Sequence, residues 1–146
     1  MDITPLISGN PDADDLRILE GAIYEFNVQA TGISDGQLFA SFLRDAERGV
    51  IGGISGWTWS KTCFIQYLFV PPETRKQGCG IRLMEAVEAE AVDRGCGQII
   101  VRTHDFQAPQ FYAKLGFMVI GRIPDYPVGH QEMTMIKLLT KPKVQA

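Results

Sequence analysis

The sequence has few cysteines and no excess of positive charge. Its three cysteines, Cys63, Cys79 and Cys96, are odd in number and lack C-x-x-C spacing, so we expect neither a disulfide framework nor a metal site. The formal net charge of -3 argues against a nucleic-acid partner, because affinity for phosphate backbones requires clustered Lys and Arg.

Long hydrophobic runs are also missing. No run approaches the length that crosses a bilayer, and residues 1–4 lack the basic start and apolar core of a signal peptide. We therefore expect no membrane partner and a cytoplasmic location. With 146 residues, of which 45% are apolar, the chain is expected to form a single domain over residues 1–146.

Residues 68–83 form the most informative stretch. An apolar run ends at Pro71 and Pro72, and Gly78 and Gly80 then open an amphipathic run with helical spacing. The start of a helix carries unpaired N–H groups and a partial positive charge, and glycines let an anion approach them closely. With the nearby charges of Arg75, Lys76 and Arg82, this predicts a pyrophosphate site.

Two common phosphate loops do not fit this stretch. A P-loop has a Lys and then Ser or Thr after its last glycine, whereas Ile81 and Arg82 follow Gly80 here. A Rossmann fingerprint has a third glycine, and none follows Gly80 at the required spacing.

The pattern Arg-x-x-Gly-x-Gly, formed by Arg75, Gly78 and Gly80, resembles the coenzyme A loop of the GNAT superfamily of N-acetyltransferases. Residues 108–117, Ala-Pro-Gln-Phe-Tyr-Ala-Lys-Leu-Gly-Phe, resemble the segment that follows in the same superfamily. The two blocks in order imply an α/β (α+β) GNAT fold. Its mixed, mostly antiparallel sheet would have about six or seven strands, splayed between two central parallel strands, with about three or four helices.

Hydrophobic periodicity and turn residues predict the elements of that fold. We expect a first edge strand at 3–7, a helix ending at Thr31-Gly32, and a meander of three strands between 38 and 70. A helix from Gly80 would stop near Gly95 and lead to a parallel strand at 98–103. A short helix at 109–115, strands at 117–123 and 131–139, and a frayed tail from Thr140 would follow.

The resemblance implies acetyl-coenzyme A as co-substrate, with no metal. Pantetheine would lie between the splayed strands, and the pyrophosphate would lie on the amides of the loop. Asp105 stands where the family commonly has an Asn that contacts the cofactor, so we expect Gln107 to make this contact instead. The predicted cofactor contacts are Phe69, Val70, Arg75, Gln77, Gly78, Cys79, Gly80, Ile81, Arg82 and Gln107.

Acetyl transfer needs an acid for the departing thiolate and a base for the amine. Tyr112 matches the family's phenol near the coenzyme sulfur, and a Tyr with an ordinary pKa of about 10 is protonated at neutral pH. The strand before the loop carries no acid around Gln66, so His104 and His130 are the candidate bases. A structural hydrogen-bonding role for each His remains the alternative.

The acceptor site is predicted from the last loop and the meander. Residues 125–130 resemble a Pro-x-Gly-His loop of some small bacterial GNAT enzymes. This resemblance implies that Tyr126 and His130 contact the acceptor, with acid-base chemistry as their second role. Gln66 and Trp57 are further candidates, with core or sheet-surface packing as the alternative for Trp57.

The sequence therefore predicts an N-acetyltransferase that moves an acetyl group to the primary amine of a small molecule by direct transfer in a ternary complex. One alternative is acetylation of proteins or peptides, and another is a non-catalytic acyl-coenzyme A sensor or subunit. Exposed edge strands make a homodimer possible.

Overall fold

The computed structural model describes Met1 and residues 3–139, and these form two compact units, Met1–Ser34 and a second unit that begins at Asp35. The predicted frayed tail from Thr140 lies outside the described residues. A single domain over residues 1–146 stays a prediction.

The first unit contains one long helix, α1 (Ala13–Thr31). The Asp12 side chain caps its start by accepting from the amides of Asp14 and Asp15, at 2.7 and 3.3 Å. Its end is capped by Gly32, which has the left-handed φ of 73° and donates its N–H to the Val28 carbonyl. The predicted helix and its stop at Thr31-Gly32 are thus confirmed.

The predicted first strand is wrong. Residues 3–7 are described and have no strand structure. Pro5 stands in the middle of this stretch, and since it has no N–H it cannot donate to a strand ladder.

The second unit is built on a sheet with strand order β1-β2-β3-β4-β6-β5. Within the described residues the central pair β3–β4 is parallel and the other four pairs are antiparallel, which confirms the predicted mixed sheet. The strands are β1 (Gln37–Asp45), β2 (Gly49–Trp59), β3 (Thr62–Phe69), β4 (Gln98–His104), β5 (Met118–Pro124) and β6 (Gln131–Leu138). The helices are α2 (Cys79–Asp93) and α3 (Pro109–Lys114), and a 3-10 turn covers Pro72–Thr74.

The core of this unit lies between α2 and one face of the sheet. Ile54, Ile65 and Ile99 from three adjacent strands are 2% exposed or less, and they cluster with Leu83 and Val87 of α2. The helix connects β3 to β4, and this crossover is what allows the two strands to run parallel. We call the sheet face that packs on α2 the core face, and the opposite face the distal face.

The two parallel strands separate before they end. Their ladder runs from the pair Thr62 and Gln98 to the pair Ile65 and Val101, although β3 continues to Phe69 and β4 to His104. Residues 66–69 and 102–104 thus form the two sides of a cleft. The predicted splay between the central strands is confirmed.

Across the described part of the chain, no helix combines the length and apolar character needed to span a bilayer. Nor do three or more His, Cys, Asp or Glu residues gather there in a way that could hold a metal ion.

Candidate active site

The glycine loop enters α2 with its backbone amides open at the helix start. Gly78 is the N-cap residue with φ 76°, and the first helical bond runs from the Arg82 amide to the Gly78 carbonyl at 3.0 Å. The amides of Cys79, Gly80 and Ile81 precede this bond, and no side chain in the described part of the chain caps the helix start. This is the arrangement that binds a phosphate through N–H groups.

The Gln77 amide differs from the amides that follow it. It donates to the Thr74 carbonyl at 3.3 Å, which closes the turn before the helix. The amide group of its side chain lies near the Glu73 carbonyl, at 3.4 Å. A phosphate contact by Gln77 stays a prediction.

Arg75 connects the end of β3 to the loop. Its Nε donates to the Val70 carbonyl at 3.0 Å, while Nη2 of Arg82 lies 3.5 Å from the Gln77 carbonyl. Both guanidinium groups therefore stay beside the helix start, where their charge adds to that of the backbone. The predicted pantetheine contacts of Phe69 and Val70 stay predictions.

Tyr112 is buried in α3, with only 5% of its surface exposed. Its ring packs edge-on against Phe111 and Phe117, at centroid distances of 5.3 and 5.5 Å, as part of the core cluster. Burial raises the pKa of the phenol to about 12, because the anion is poorly solvated there. The hydroxyl therefore keeps its proton at neutral pH, as a proton donor requires.

A bulge at Gln66 changes which side chains of β3 face the distal side. Ser55 of β2 pairs with Tyr67 and the next residue, Gly56, pairs with Ile65, so Gln66 is an extra residue in β3. Tyr67 consequently shares the face of Ser55 and Trp57, away from α2. A groove of about 230 Å³ includes this region, and it is lined by Phe42, Val50, Gly52, Gly53, Ile54, Ser55, Tyr67 and Phe69.

Trp57 lies farther back on the same face. Its ring stacks on Phe64 at 4.6 Å, and the Arg102 guanidinium lies 5.9 Å from the Phe64 ring centre. Phe64 belongs to the part of β3 that still pairs with β4. The contacts match the packing alternative for Trp57, and its acceptor role stays a prediction.

His104 ends β4 on the opposite side of the cleft. Its Nδ1 lies 2.9 Å from the Tyr126 carbonyl, and its ring stacks on Phe106 with centroids 5.2 Å apart. The Tyr126 ring packs edge-on against it at 5.0 Å. The predicted base and the predicted acceptor residue are thus neighbours.

His130 joins the same cluster from the loop between β5 and β6. Its Nδ1 lies 2.8 Å from Oδ1 of Asp105, and its ring packs against Phe106 at 5.1 Å. The other oxygen of Asp105 accepts from the Gln131 amide at 3.2 Å. Asp105 therefore holds the last loop in place.

Gln107 closes the turn after β4. Its Oε1 accepts from the His104 amide at 2.7 Å, and its own amide donates to the His104 carbonyl at 3.0 Å. The side-chain NH₂ is the part of Gln107 that this turn leaves for the predicted cofactor contact.

Glu132 belongs to this site although the sequence did not point to it. It pairs with His104 across the β4–β6 ladder, and its Oε2 lies 3.6 Å from Nε2 of His104. The sequence signal is an acid directly before Met133, at the start of a strand whose apolar residues are Met133, Met135, Ile136 and Leu138. Only the strand register shows that this acid faces a histidine.

Comparison with known proteins agrees with this geometry. The profile described as "Acetyltransferase (GNAT) family" matches residues 12–117. Blasticidin-S acetyltransferase of Streptomyces morookaense is 39% identical over 98 residues, which is 64% of this chain and 70% of the relative. Acetyltransferase Atu2258 of Agrobacterium fabrum is 30% identical over 118 residues, which is 81% of this chain and 86% of the relative.

Solved structures show the same fold. A crystal structure from Agrobacterium tumefaciens superposes with a TM-score of 0.83 at 27% identity, covering 94% of this chain and all of that one. An acetyltransferase from Bacillus cereus has a TM-score of 0.74 at 24% identity, covering 92% of this chain and 98% of that one.

Proposed function

The chain belongs to the acetyltransferase (GNAT) family and is an acyltransferase, and on that premise we propose that it acetylates the primary amine of a small molecule. Acetyl-coenzyme A is the proposed donor, as the family implies. We propose direct transfer in a ternary complex, by a single-domain protein in the cytoplasm.

The separation of β3 and β4 is the observation that carries this proposal. Beyond the pair Ile65 and Val101 the two strands diverge, and the backbone of β3 continues to Phe69 beside the cleft. An extended pantetheine arm would add to this edge as a strand does. The open amides after Gly78 would then receive the pyrophosphate.

The proposed chemistry uses a proton donor and a proton acceptor. The amine nitrogen attacks the thioester carbonyl, the new N–C bond forms, and the C–S bond breaks with its electron pair going to sulfur. Tyr112 gives its proton to the thiolate, and His104 or His130 takes the proton of the amine. Both residues return to their starting states by exchanging protons with water.

The acceptor is proposed to lie against the distal face. Tyr67 and Phe69 line an apolar groove there. On the other side of the cleft, Tyr126 packs against His104 and His130 packs against Phe106. The name of the Streptomyces morookaense relative supports a small-molecule acceptor. Blasticidin S is therefore the first compound to test, followed by amino acids, polyamines and aminoglycosides.

Two experiments test the proposal. Isothermal titration with acetyl-coenzyme A should give saturable binding, and an amine panel followed by free-thiol release should reveal at least one acceptor. An absence of cofactor binding would contradict the donor. Turnover of peptide amines alone would favour a protein acetyltransferase, and binding with no turnover of any amine would favour a sensor or subunit.

A homodimer is a further proposal. β1 and β5 are the two edges of the sheet, and an unpaired edge is a common site of association between copies. Light scattering coupled to gel filtration would measure the mass, and a mass of 16.2 kDa would contradict it.

A further inference from the structure

Glu132 has a buried oxygen that the fold does not use. The residue is 7% exposed, and among the described residues its Oε1 finds no hydrogen-bond partner. Most buried polar atoms are paired, and an unpaired carboxylate oxygen is costly to bury. A charged group that belongs beside Glu132 would account for it.

The hydrogen bond of His104 fixes what this ring presents to Glu132. Its Nδ1 is 2.9 Å from the Tyr126 carbonyl, and because a carbonyl only accepts, Nδ1 carries the proton of the neutral ring. The lone pair is then on Nε2, which lies 3.6 Å from Oε2 of Glu132. Nε2 of His104 and Oε2 of Glu132 are thus two acceptors close enough for one cationic N–H donor to bond to both.

The second histidine pair is different. Asp105 uses one oxygen for Nδ1 of His130 at 2.8 Å and the other for the Gln131 amide at 3.2 Å. Both oxygens of this carboxylate are thus satisfied within the protein. Of the two carboxylates beside the histidines, Glu132 is therefore the one with an oxygen that accepts no hydrogen bond from the described residues.

The position of the pair matches an acceptor site. His104 and Glu132 are directly opposite in an antiparallel ladder, so their side chains share one sheet face. His104 is on the same face of β4 as Ile100, and Ile100 pairs with Phe64 of β3. Phe64 in turn pairs with Trp57 of β2, whose side chain points away from α2. His104 and Glu132 therefore lie on the distal face. It is the face that carries the groove beside Tyr67 on the other side of the cleft.

We infer that Glu132 and His104 together form the binding site for the ammonium group of the acceptor. The inference rests on the proposed function and specifies it: the acceptor is an alkyl amine that arrives protonated. Glu132 holds the positive charge, and the ammonium nitrogen has to lose two protons to become the amide. The second proton passes to water as the amide forms, and the first passes to Nε2 of His104 before the attack, which frees the lone pair that adds to the thioester carbonyl. The resulting imidazolium remains beside the Glu132 carboxylate until the proton passes to water.

The first test is binding of ethylammonium chloride without any cofactor, followed by NMR of the His104 imidazole. Ethylammonium should shift the His104 signals saturably in the native protein, whereas sodium chloride and ethanol should not. In Glu132→Gln the Kd for ethylammonium should rise about tenfold or more, since a close opposite charge is lost. The control variant Glu85→Gln removes an exposed carboxylate of α2, on the other side of the sheet, and should bind within about twofold of the native protein.

Two results would overturn the inference: an unchanged Kd in Glu132→Gln, or an equal loss of affinity in the control Glu85→Gln. Should Glu132→Gln fail to fold, Glu132→Asp retains the charge and His104→Gln retains the polarity without the base. Ethylammonium should still bind to Glu132→Asp. It should bind more weakly to His104→Gln, where the NMR signals of Tyr126 report the binding. Unchanged binding in His104→Gln would also overturn the inference.

The same variants separate the inference from the proposed function. With an acceptor from the amine panel, Glu132→Gln should raise the KM for the amine by about tenfold and leave the Kd of acetyl-coenzyme A unchanged. A protein that binds ethylammonium at Glu132 and acetylates nothing would refute the enzyme proposal alone. One that acetylates amines equally well without Glu132 would refute this inference alone.

Discussion

Gly78 and Gly95 hold the same left-handed backbone at the two ends of α2. Their φ angles are 76° and 79°, and a Cβ at either position would meet no atom of the described residues within 4 Å. Substitution by Ala therefore costs backbone strain at both positions and causes no steric clash. The two residues form a matched pair for testing the cofactor loop.

We expect Gly78→Ala and Gly95→Ala each to lower the free energy of unfolding by about 1 to 2 kcal/mol, which is the cost of left-handed backbone for an L residue. Only Gly78→Ala should weaken acetyl-coenzyme A binding, by about tenfold. Residue 78 would leave the left-handed conformation to relieve its strain, and this would turn the first amides of α2 away from the pyrophosphate. Urea unfolding and isothermal titration measure the two effects. Equal cofactor affinity in both variants would show that the helix start does not hold the pyrophosphate.

Removal of the Tyr112 hydroxyl should affect turnover far more than binding. We expect Tyr112→Phe to lower kcat by about a hundredfold or more, the usual contribution of a general acid. The Kd of acetyl-coenzyme A should stay within about twofold, since the ring and its contacts with Phe111 and Phe117 remain. Stopped-flow thiol release and titration provide the two numbers, and undiminished kcat would exclude Tyr112 as the acid.

The raised pKa of Tyr112 also predicts how stability depends on pH. In the unfolded chain this phenol loses its proton near pH 10, but in the folded protein it keeps the proton up to about pH 12. The folded state therefore binds more protons between these values, and stability falls as the pH rises through them.

Tyr112→Phe isolates this effect from other alkaline titrations, such as that of Cys63, whose pKa burial also raises to about 12. The native protein should lose up to about 1.4 kcal/mol more per pH unit than the variant between pH 10 and 12. Urea unfolding at several alkaline pH values gives the two slopes. Parallel slopes would mean that the phenol is solvated.

Gly56 should be the glycine of β2 least tolerant of substitution. A Cβ there would lie 1.9 Å from the Phe64 carbonyl oxygen, and this contact is to backbone next to the bulge at Gln66. We expect Gly56→Ala to cost about 3 kcal/mol or more, as overpacking against backbone does. Gly121→Ala in β5 has open space and should change stability by less than about 1 kcal/mol, so thermal unfolding of the two variants provides the comparison.

Local chemistry in the sequence was enough to predict most elements of the second unit. Gly78, Gly95 and Gly116 mark helix boundaries because each has a positive φ that other residues avoid, and the structure has such φ values at all three. The apolar residues at 3–7 predict a strand, but Pro5 removes a backbone donor from the middle of this stretch and no strand forms. A strand needs backbone donors as well as apolar side chains.

The side-chain pairs of the site were beyond the reach of sequence. His104, Asp105, His130 and Glu132 were each visible as residues, but their pairing depends on the register of β4 against β6 and on the path of the last loop. A shift of one residue in that register would turn Glu132 to the core face. Long-range register is set by packing of the whole sheet, which no local pattern encodes.

The short ladder between β3 and β4 has a mechanical consequence. Among the described residues, four pairs, from Thr62 with Gln98 to Ile65 with Val101, link the half-sheet β1-β2-β3 to the half-sheet β4-β6-β5 by strand pairing. Acetyl-coenzyme A in the cleft would extend this strand pairing with the amide groups of its pantetheine arm. Loading with substrate would thus stiffen the junction of the two halves, and product release would let it relax.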